Sequence, residues 1–176
     1  MVIWTLPIAT LVHEAEELLL DPSRFQVSEE TIQRLPRVTR FLVPRSRAQF
    51  AGWGALDLGL TTVASALAAR EDEPGPATRV FAVMVIFEAL DVLDHAARWI
   101  AEPRYAPGLI TSSLVSLPHS IWSLNRLLRD RRIDRGFMFR ALGTTLPLSL
   151  LMIAGALLSR VFRRVARDEQ RVTFQT

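Results

Sequence analysis

The stretch FAGWGALDLGLTTVASALAA, residues 50–69, is almost entirely apolar or small and carries one charge, Asp57. A helix needs about 20 such residues to cross the ~30 Å hydrocarbon core of a bilayer. A second stretch of similar length, ALGTTLPLSLLMIAGALLS at residues 141–159, carries no charge at all. The sequence therefore predicts at least two transmembrane helices.

Three further apolar segments contain ionisable residues. Segment 107–124 has no formal charge but includes His119, segment 80–100 mixes acids and a histidine into an apolar run, and segment 2–20 carries its ionisable residues in its second half. Such segments are typical of spans that turn a polar face toward the interior of a bundle. We therefore predict one all-α domain over residues 1–176, an integral membrane helical bundle of about five helices. The candidate helices are 2–20, 50–69, 80–100, 107–124 and 141–159.

The segment between the first two candidate helices differs from its neighbours. Residues 21–49 contain six arginines together with Asp21, Ser28 and Pro36. This mixed composition predicts an interfacial amphipathic segment after the first helix. Because arginine-rich loops lie mainly on the cytoplasmic side, it also predicts that the first helix ends there.

The composition excludes several classes of function. The chain has no cysteine, so disulfides, thiolate metal sites and cysteine nucleophiles are excluded. All 21 basic residues are arginine, and 18 acidic residues reduce the net charge to +3. Arginine at membrane edges follows from orientation rules and from attraction to anionic lipid, so the basic residues do not indicate nucleic-acid binding. We expect no nucleic-acid partner.

Two candidate helices each present acids and an imidazole on one face. His13, Glu16 and Glu17 are spaced i, i+3 and i+4, which places their side chains together on the first helix. Asp91 and His95 repeat the i, i+4 spacing on the third helix. Either helix alone would turn these groups toward lipid, so we predict that the first and third helices are in contact. The expected geometry brings His13 or Glu17 within hydrogen-bond reach of Asp91 or His95.

The energy of burial makes these residues candidates for chemistry. One ionised group at the bilayer centre costs at least roughly 2.5 to 3.5 kcal/mol. Protonation, pairing of histidine with a carboxylate, or a bound metal ion can each offset that cost. The catalytic candidates are His13, Glu16, Glu17, Asp91 and His95.

These motifs carry a resemblance to a known family. The His13-x-x-Glu16-Glu17 motif, the Asp91-x-x-x-His95 pair and the Tyr105-Ala106-Pro107-Gly108-Leu109-Ile110-Thr111 turn follow one another in this order. In this arrangement the chain resembles the HXXEE family of bacterial integral membrane proteins over roughly residues 8 to 127. The resemblance implies a multi-pass protein of the bacterial inner membrane. It favours His13, Glu16, Glu17 and His95 as site residues and leaves the reaction open.

Several other residues are candidates for substrate binding. Asp57 and Glu88 are further acids within predicted spans, and His119 lies near the middle of the fourth. Ordinary structural roles compete with this interpretation, since a lone buried histidine often only satisfies neighbouring polar groups. Trp53 and Trp99 lie near predicted helix ends, where an aromatic belt at the membrane surface is the usual explanation. The full set of substrate-binding candidates is Asp57, Glu88, His119, Trp53 and Trp99.

The same residues support three hypotheses. The first is metal-free acid–base catalysis by an isomerase or cyclase on a lipophilic small molecule, with Glu17 or Glu16 as donor, His13 orienting it, and Asp91 with His95 accepting the proton. The second is a metalloenzyme that binds zinc or iron through His13, Glu17, Asp91 and His95. The third is a proton-coupled carrier or a small-molecule sensor, for which a homodimer could supply the second half of a transport path.

Overall fold

The computed structural model of the protein describes residues 2–20, 33, 46–101, 107–151, 153 and 154. Within these residues the chain is all-α, with five helical segments and no strand. The predicted all-α class and the number of about five helices are therefore confirmed. The predicted interfacial segment 21–49 lies largely outside the described residues.

The helices follow the apolar segments closely. A 3-10 turn, Val2–Thr5, leads into α1, Leu6–Leu20. The long helices α2, Arg47–Ala69, and α3, Pro76–Ala101, follow. The next segment is continuous: a short α4, Leu109–Thr111, passes through a π-helical turn, Ser112–Ser116, into α5, Leu117–Arg129. Helix α6 covers residues 135–151.

Local sequence signals set the start of α2 and the start of α3. The hydroxyl of Ser46 accepts a hydrogen bond from the Gln49 backbone at 3.1 Å, which caps the first turn of α2. Pro76 begins α3, at a position where its missing N–H removes no helical hydrogen bond. The short link between these two helices makes them antiparallel neighbours.

Pairs of contacts define how the other helices run. His13 contacts Asp91 and Glu17 contacts His95, so α1 and α3 run in the same direction and face each other across the interior of the bundle with a constant offset. Thr5 pairs with His119 and His13 pairs with Thr111, so the segment from α4 to α5 runs antiparallel to α1. Helices α1, α3 and α4–α5 therefore surround a shared interior.

The interior of the bundle is divided into an apolar end and a polar end. The apolar end packs side chains from the start of α1, the end of α2, the start of α3 and the end of α5. Its buried members are Ile3, Leu6, Ala68, Phe81, Ala82, Val85, Leu127 and Ile133. Beyond Leu6 on α1 the buried positions become mostly polar, and beyond Ile86 on α3 the buried residue is His95. The polar end lies toward the carboxyl ends of α1 and α3.

The surface of the described bundle is unusually apolar. Leu114 is 72% exposed, Ile100 74% and Leu19 68%. Large apolar side chains point outward from every helix, whereas hydroxyl, imidazole and carboxyl groups fill much of the interior. The buried polar residues are Thr10, His13, Glu16, Glu17, Thr61, Ser65, Thr78, His95, Ser112, Ser116, Ser120, Ser123 and Thr145. Taken singly, α2 is the one described helix that is long and apolar enough to cross a membrane.

A candidate metal centre

Two histidines and one aspartate meet at the polar end. Nε2 of His13 lies 3.1 Å from Oδ2 of Asp91, and Nε2 of His95 lies 3.0 Å from the same oxygen. The two imidazole rings stand edge to face with their centroids 5.1 Å apart. Both histidines are buried. The predicted contact between the first and third helices is confirmed.

Helix geometry explains why the three groups converge. Asp91 and His95 are one turn apart on α3, so both side chains face α1. His13 lies on the facing side of α1, which runs parallel to α3. Because the two helices are parallel, the residue one turn after His13 lies beside the residue one turn after Asp91. Oε1 of Glu17 is accordingly 3.4 Å from Nε2 of His95.

The shared oxygen of Asp91 is not satisfied by hydrogen bonding. Oδ2 is buried, and no group among the described residues forms a hydrogen bond of acceptable geometry to it. The two imidazole nitrogens lie within ion-pair distance of this oxygen. A buried carboxylate oxygen without a donor requires compensation by another positive group.

The spacing of the donor atoms fits one small cation. His13, Asp91 and His95 each offer one ligand atom, and these atoms lie within 4.8 Å of one another. Zinc bonds of about 2.0 to 2.2 Å to nitrogen and oxygen in tetrahedral geometry place neighbouring ligand atoms roughly 3.3 Å apart. The observed separations of 3.0 and 3.1 Å need to widen only slightly. Two imidazoles and one carboxylate are also the ligand set of non-haem iron enzymes.

A turn at the start of α4 holds His13 in position. Nδ1 of His13 lies 3.0 Å from the hydroxyl of Thr111. A neutral His13 that presents its Nε2 lone pair to a metal carries its proton on Nδ1, which then donates to Thr111. Such a bond on the opposite ring nitrogen fixes the tautomer and orientation of metal-binding histidines.

The same turn explains the role of Glu16. Its Oε2 accepts a hydrogen bond from the backbone N–H of Thr111 at 2.8 Å, so Glu16 anchors the turn rather than facing His95. Gly108 has a φ of +85° and lies against both imidazoles. A Cβ atom there would lie 2.7 Å from Nε2 of His95 and 2.9 Å from Cε1 of His13. Only glycine combines this backbone angle with so close an approach.

Further carboxyl groups surround the centre. Asp57 on α2 and Glu88 on α3 lie within electrostatic range of Asp91 and His13, as does Glu14 on α1. Glu88 accepts a hydrogen bond from the hydroxyl of Ser116 at 2.7 Å, in the π-helical turn. The centre is therefore surrounded by carboxyl groups, whose ionised forms a bound cation would stabilise.

Other predicted site residues lie away from this centre. His119 pairs with Thr5 at 2.8 Å and with Ser123 at 3.1 Å, nearer the opposite end of α1. Trp53 and Trp99 are exposed on the surface. The structure thus joins His13, Glu17, Asp91 and His95 directly and places His119 in a second cluster.

Sequence reasoning did not single out Thr111, Gly108, Ser116 or Glu14 as site residues. Thr111 and Gly108 belong to a turn whose sequence is distinctive, but no spacing rule links it to His13, nearly a hundred residues earlier. Glu14 lies inside the His13 to Glu17 motif, yet it points toward Gly54 on α2 rather than toward α3. Ser116 is one serine among several, and its contact with Glu88 depends on the packing of α3 against the π-helical turn.

Fold and site together define a class: an all-α bundle with an apolar surface and a buried cluster of imidazoles and carboxylates contributed by two parallel helices. The chain belongs to the HXXEE family, described as proteins of unknown function with an HXXEE motif, whose model matches residues 4–123. No curated protein and no solved structure shows a significant match to the chain.

Proposed function

We propose that this protein is a membrane-embedded metalloenzyme in which His13, Asp91 and His95 bind one zinc or iron ion and act on a lipophilic small molecule. The observation that carries the proposal is the convergence of two imidazole nitrogens on one buried carboxylate oxygen that has no hydrogen-bond donor of its own. The remaining coordination positions would take water and substrate.

The distribution of polar and apolar side chains supports a place in the membrane for the whole bundle. In water, apolar side chains collect inside and polar ones outside. Here the outward faces of α1, α2, α3 and α5 are rich in leucine, isoleucine and tryptophan, and the inward faces carry most of the histidines and several hydroxyls. Lipid contact makes this arrangement favourable, because the bilayer solvates the outer apolar surface and the protein interior satisfies the polar groups. The apolar segments of the other helices would then cross alongside α2.

Charge balance supports a bound cation. Five carboxyl groups, on Glu14, Glu17, Asp57, Glu88 and Asp91, lie at or near two imidazoles. Each ionised group in the hydrocarbon region costs at least roughly 2.5 to 3.5 kcal/mol, so the cluster needs positive charge or protons. A divalent ion at the shared Asp91 oxygen supplies that charge at the point where the carboxylate lacks donors.

The number of ligands supports catalysis rather than a purely structural role. Structural zinc sites use four protein ligands, whereas catalytic sites use three and leave a position for water. A metal held by these three residues would lower the pKa of a bound water to about 7 and polarise carbonyl oxygens. Glu17, which contacts His95, would accept a proton in such a site. The side chain of Asp91 is 36% exposed, so the centre opens toward the surface of the bundle at this residue.

Purified protein provides the test. After removal of metals with a chelator and reloading with Zn²⁺ or Fe²⁺, elemental analysis should find about one ion per chain in wild type. The His95→Gln variant should lose most of this metal, whereas the matched His119→Gln variant should retain it, because His119 bonds to the hydroxyl groups of Thr5 and Ser123 and lies away from Asp91.

Equal metal content in wild type and His95→Gln would overturn the assignment of the ligands. No specific metal in either protein would leave the metal-free acid–base mechanism, in which Glu17 exchanges a proton with His95 across their 3.4 Å contact, as the function to pursue.

A further inference from the structure

A buried polar level lies one helical turn from the metal centre. Helices α1 and α3 are parallel with a constant offset, since His13 meets Asp91 and Glu17 meets His95. If this pairing is continued one turn toward the start of both helices, Thr10 on α1 lies at the same height in the bundle as Glu88 on α3. Glu88 in turn binds the hydroxyl of Ser116 on the facing segment. Three helical segments thus contribute a hydroxyl or carboxyl group to the interior at this level.

The polar groups continue from this level toward His119. Ser112, Ser116, Ser120 and Ser123 recur every three to four residues and are all buried, so they form one inward face of the π-helical turn and α5. Ser123 contacts His119, and His119 contacts Thr5 at the first turn of α1. We call the set Thr10, Ser65, Glu88, Ser116, Ser120 and His119 the polar seam.

Several atoms of the polar seam have no partner in the described part of the protein. These atoms are the hydroxyl oxygens of Thr10, Ser65 and Ser120 and Nδ1 of His119. Thr10, Ser65 and Ser120 are fully buried. More than about nine in ten buried polar groups in proteins have a hydrogen-bond partner, which is often water. Four unpartnered groups contributed by three helices are more than isolated packing defects would produce.

The length of the polar seam suits a short chain of water molecules. His119 meets α1 at Thr5 and the metal centre meets it at His13, so the two lie about 12 Å apart along the axis at 1.5 Å per residue. That distance equals roughly four hydrogen-bond lengths of about 2.8 Å. The hydroxyl groups and Glu88 lie between the two ends and offer the two to four partners that a buried water needs.

We propose that the polar seam is a water-filled path that enters at His119 and delivers water to the metal centre through the level of Thr10 and Glu88. His119 is only partly buried and pairs with Thr5 at the start of α1, about two helical turns along α1 from His13. The apolar cluster around Leu6, Phe81 and Leu127 lies beside this entry and remains dry. A reaction that consumes or releases water inside a bilayer needs such a supply.

The absence of cysteine from the sequence allows a direct test. Ser120→Cys and Thr10→Cys each introduce a small thiol at a buried position near the two ends of the proposed path. Ala82→Cys is the matched control, since Ala82 is equally buried but belongs to the apolar cluster. Glu73→Cys, in the exposed link before α3, gives the rate for full access. The protein is reconstituted in lipid vesicles and treated with a small, water-soluble methanethiosulfonate carrying an ammonium group.

Both seam variants should react at least about tenfold faster than Ala82→Cys, because the reactive thiolate forms readily beside water and poorly in an apolar core. Rates at Ser120→Cys and Thr10→Cys equal to the Ala82→Cys rate would overturn the proposal. Reaction at Ser120→Cys alone would also overturn it, because the path would then stop before Glu88. If circular dichroism shows that one seam variant does not fold, the other variant decides. A reaction rate of its thiol equal to that of Ala82→Cys is then sufficient to reject the path. No metal is involved in this readout, so it is independent of the test of the metalloenzyme.

Discussion

Glu71 lies in the link before α3, and Asp91 lies in the second half of α3. The two carboxylates differ in the hydrogen bonds that they accept. Glu71, in the link before α3, accepts hydrogen bonds from the backbone N–H groups of Gly75, Ala77 and Thr78 and from the Thr78 hydroxyl, at 2.8 to 3.2 Å. The buried oxygen of Asp91 contacts two imidazole nitrogens without a well-formed hydrogen bond.

This difference separates a structural carboxylate from a candidate ligand. The neighbours of Glu71 occupy most of its acceptor capacity in capping the first turn of α3, so this carboxylate is satisfied without a cation. Arg132 reinforces the same link by donating to the backbone carbonyl oxygens of Glu71 and Asp72. Asp91 retains a lone pair directed into a group of other potential ligands. We expect the two residues to respond differently to substitution.

The largest expected effect is on metal affinity. Asp91→Asn keeps the size of the side chain but removes the charge that joins the two imidazoles. Loss of a group that merely supports a ligand weakens metal binding by about 10- to 100-fold, so loss of this ligand should cost at least about 100-fold. Isothermal titration of metal-free protein with Zn²⁺ measures the change.

Glu71→Gln is the control for that experiment and should bind Zn²⁺ as wild type does. Similar losses in both variants would mean that metal binds to surface carboxylates in general, and the contrast between the two carboxylates would disappear.

The second-largest effect is expected at Gly108. This residue offers no ligand atom, so its substitution tests the backbone geometry of the turn alone. Gly108→Ala must adopt a φ of +85° and place its Cβ against both imidazoles. We expect a loss of stability of at least about 1 to 2 kcal/mol from the backbone angle alone, together with weaker metal binding because the rings must move. Thermal unfolding in detergent and zinc titration measure the two effects.

Gly59→Ala is the matched substitution, because nothing lies within 4 Å of a Cβ at that helical position. It should be neutral or slightly stabilising, since alanine favours a helix over glycine. Equal behaviour of the two alanine variants would show that the turn tolerates a side chain and does not position the histidines.

The smallest effect concerns Glu71 and its dependence on pH. Desolvation raises the pKa of this carboxyl, but the hydrogen bonds from Thr78, Ala77 and Gly75 outweigh it and hold the pKa below the usual value of 4.5. A carboxyl with a lowered pKa in the folded state stabilises the fold above its unfolded pKa, and this stabilisation disappears as the pH falls through the folded pKa. Glu71→Gln should therefore have a lower melting temperature than wild type at pH 7, and the difference should shrink below about pH 4.5. A difference that is unchanged at low pH would show that Glu71 acts through packing and not through its charge.

Helix number and the face of each helix were predictable from the sequence because both depend on local periodicity. The apolar block at 50–69 predicted α2 to within a few residues, and the i, i+4 spacing predicted that Asp91 and His95 share a face. The contact between the helices of His13 and Asp91 was also predictable, because charged groups on a lipid-facing surface are too costly. These inferences require only the spacing of residues along the chain and the cost of exposing charged groups to an apolar environment.

Register and partner choice were not predictable in this way. His119 was a candidate for substrate binding, and the direction of the segment from α4 to α5 relative to α1 places it beside Thr5, away from the other two histidines. The roles of Thr111 and Gly108 depend on how one turn packs over two rings contributed by different helices. Glu16 and Glu17 are adjacent in sequence, yet one anchors a turn and the other faces His95.

The sequence by itself determined an all-α chain with polar groups concentrated on the inner faces of its helices. Local hydrogen bonding and the spacing of apolar residues are sufficient for that. Tertiary structure alone decided that two imidazoles share one oxygen of Asp91 while the third imidazole lies at the far end of a row of hydroxyl groups. Distances of about 3 Å between side chains from separate helices depend on the offset and direction with which those helices pack, and no local pattern encodes either quantity.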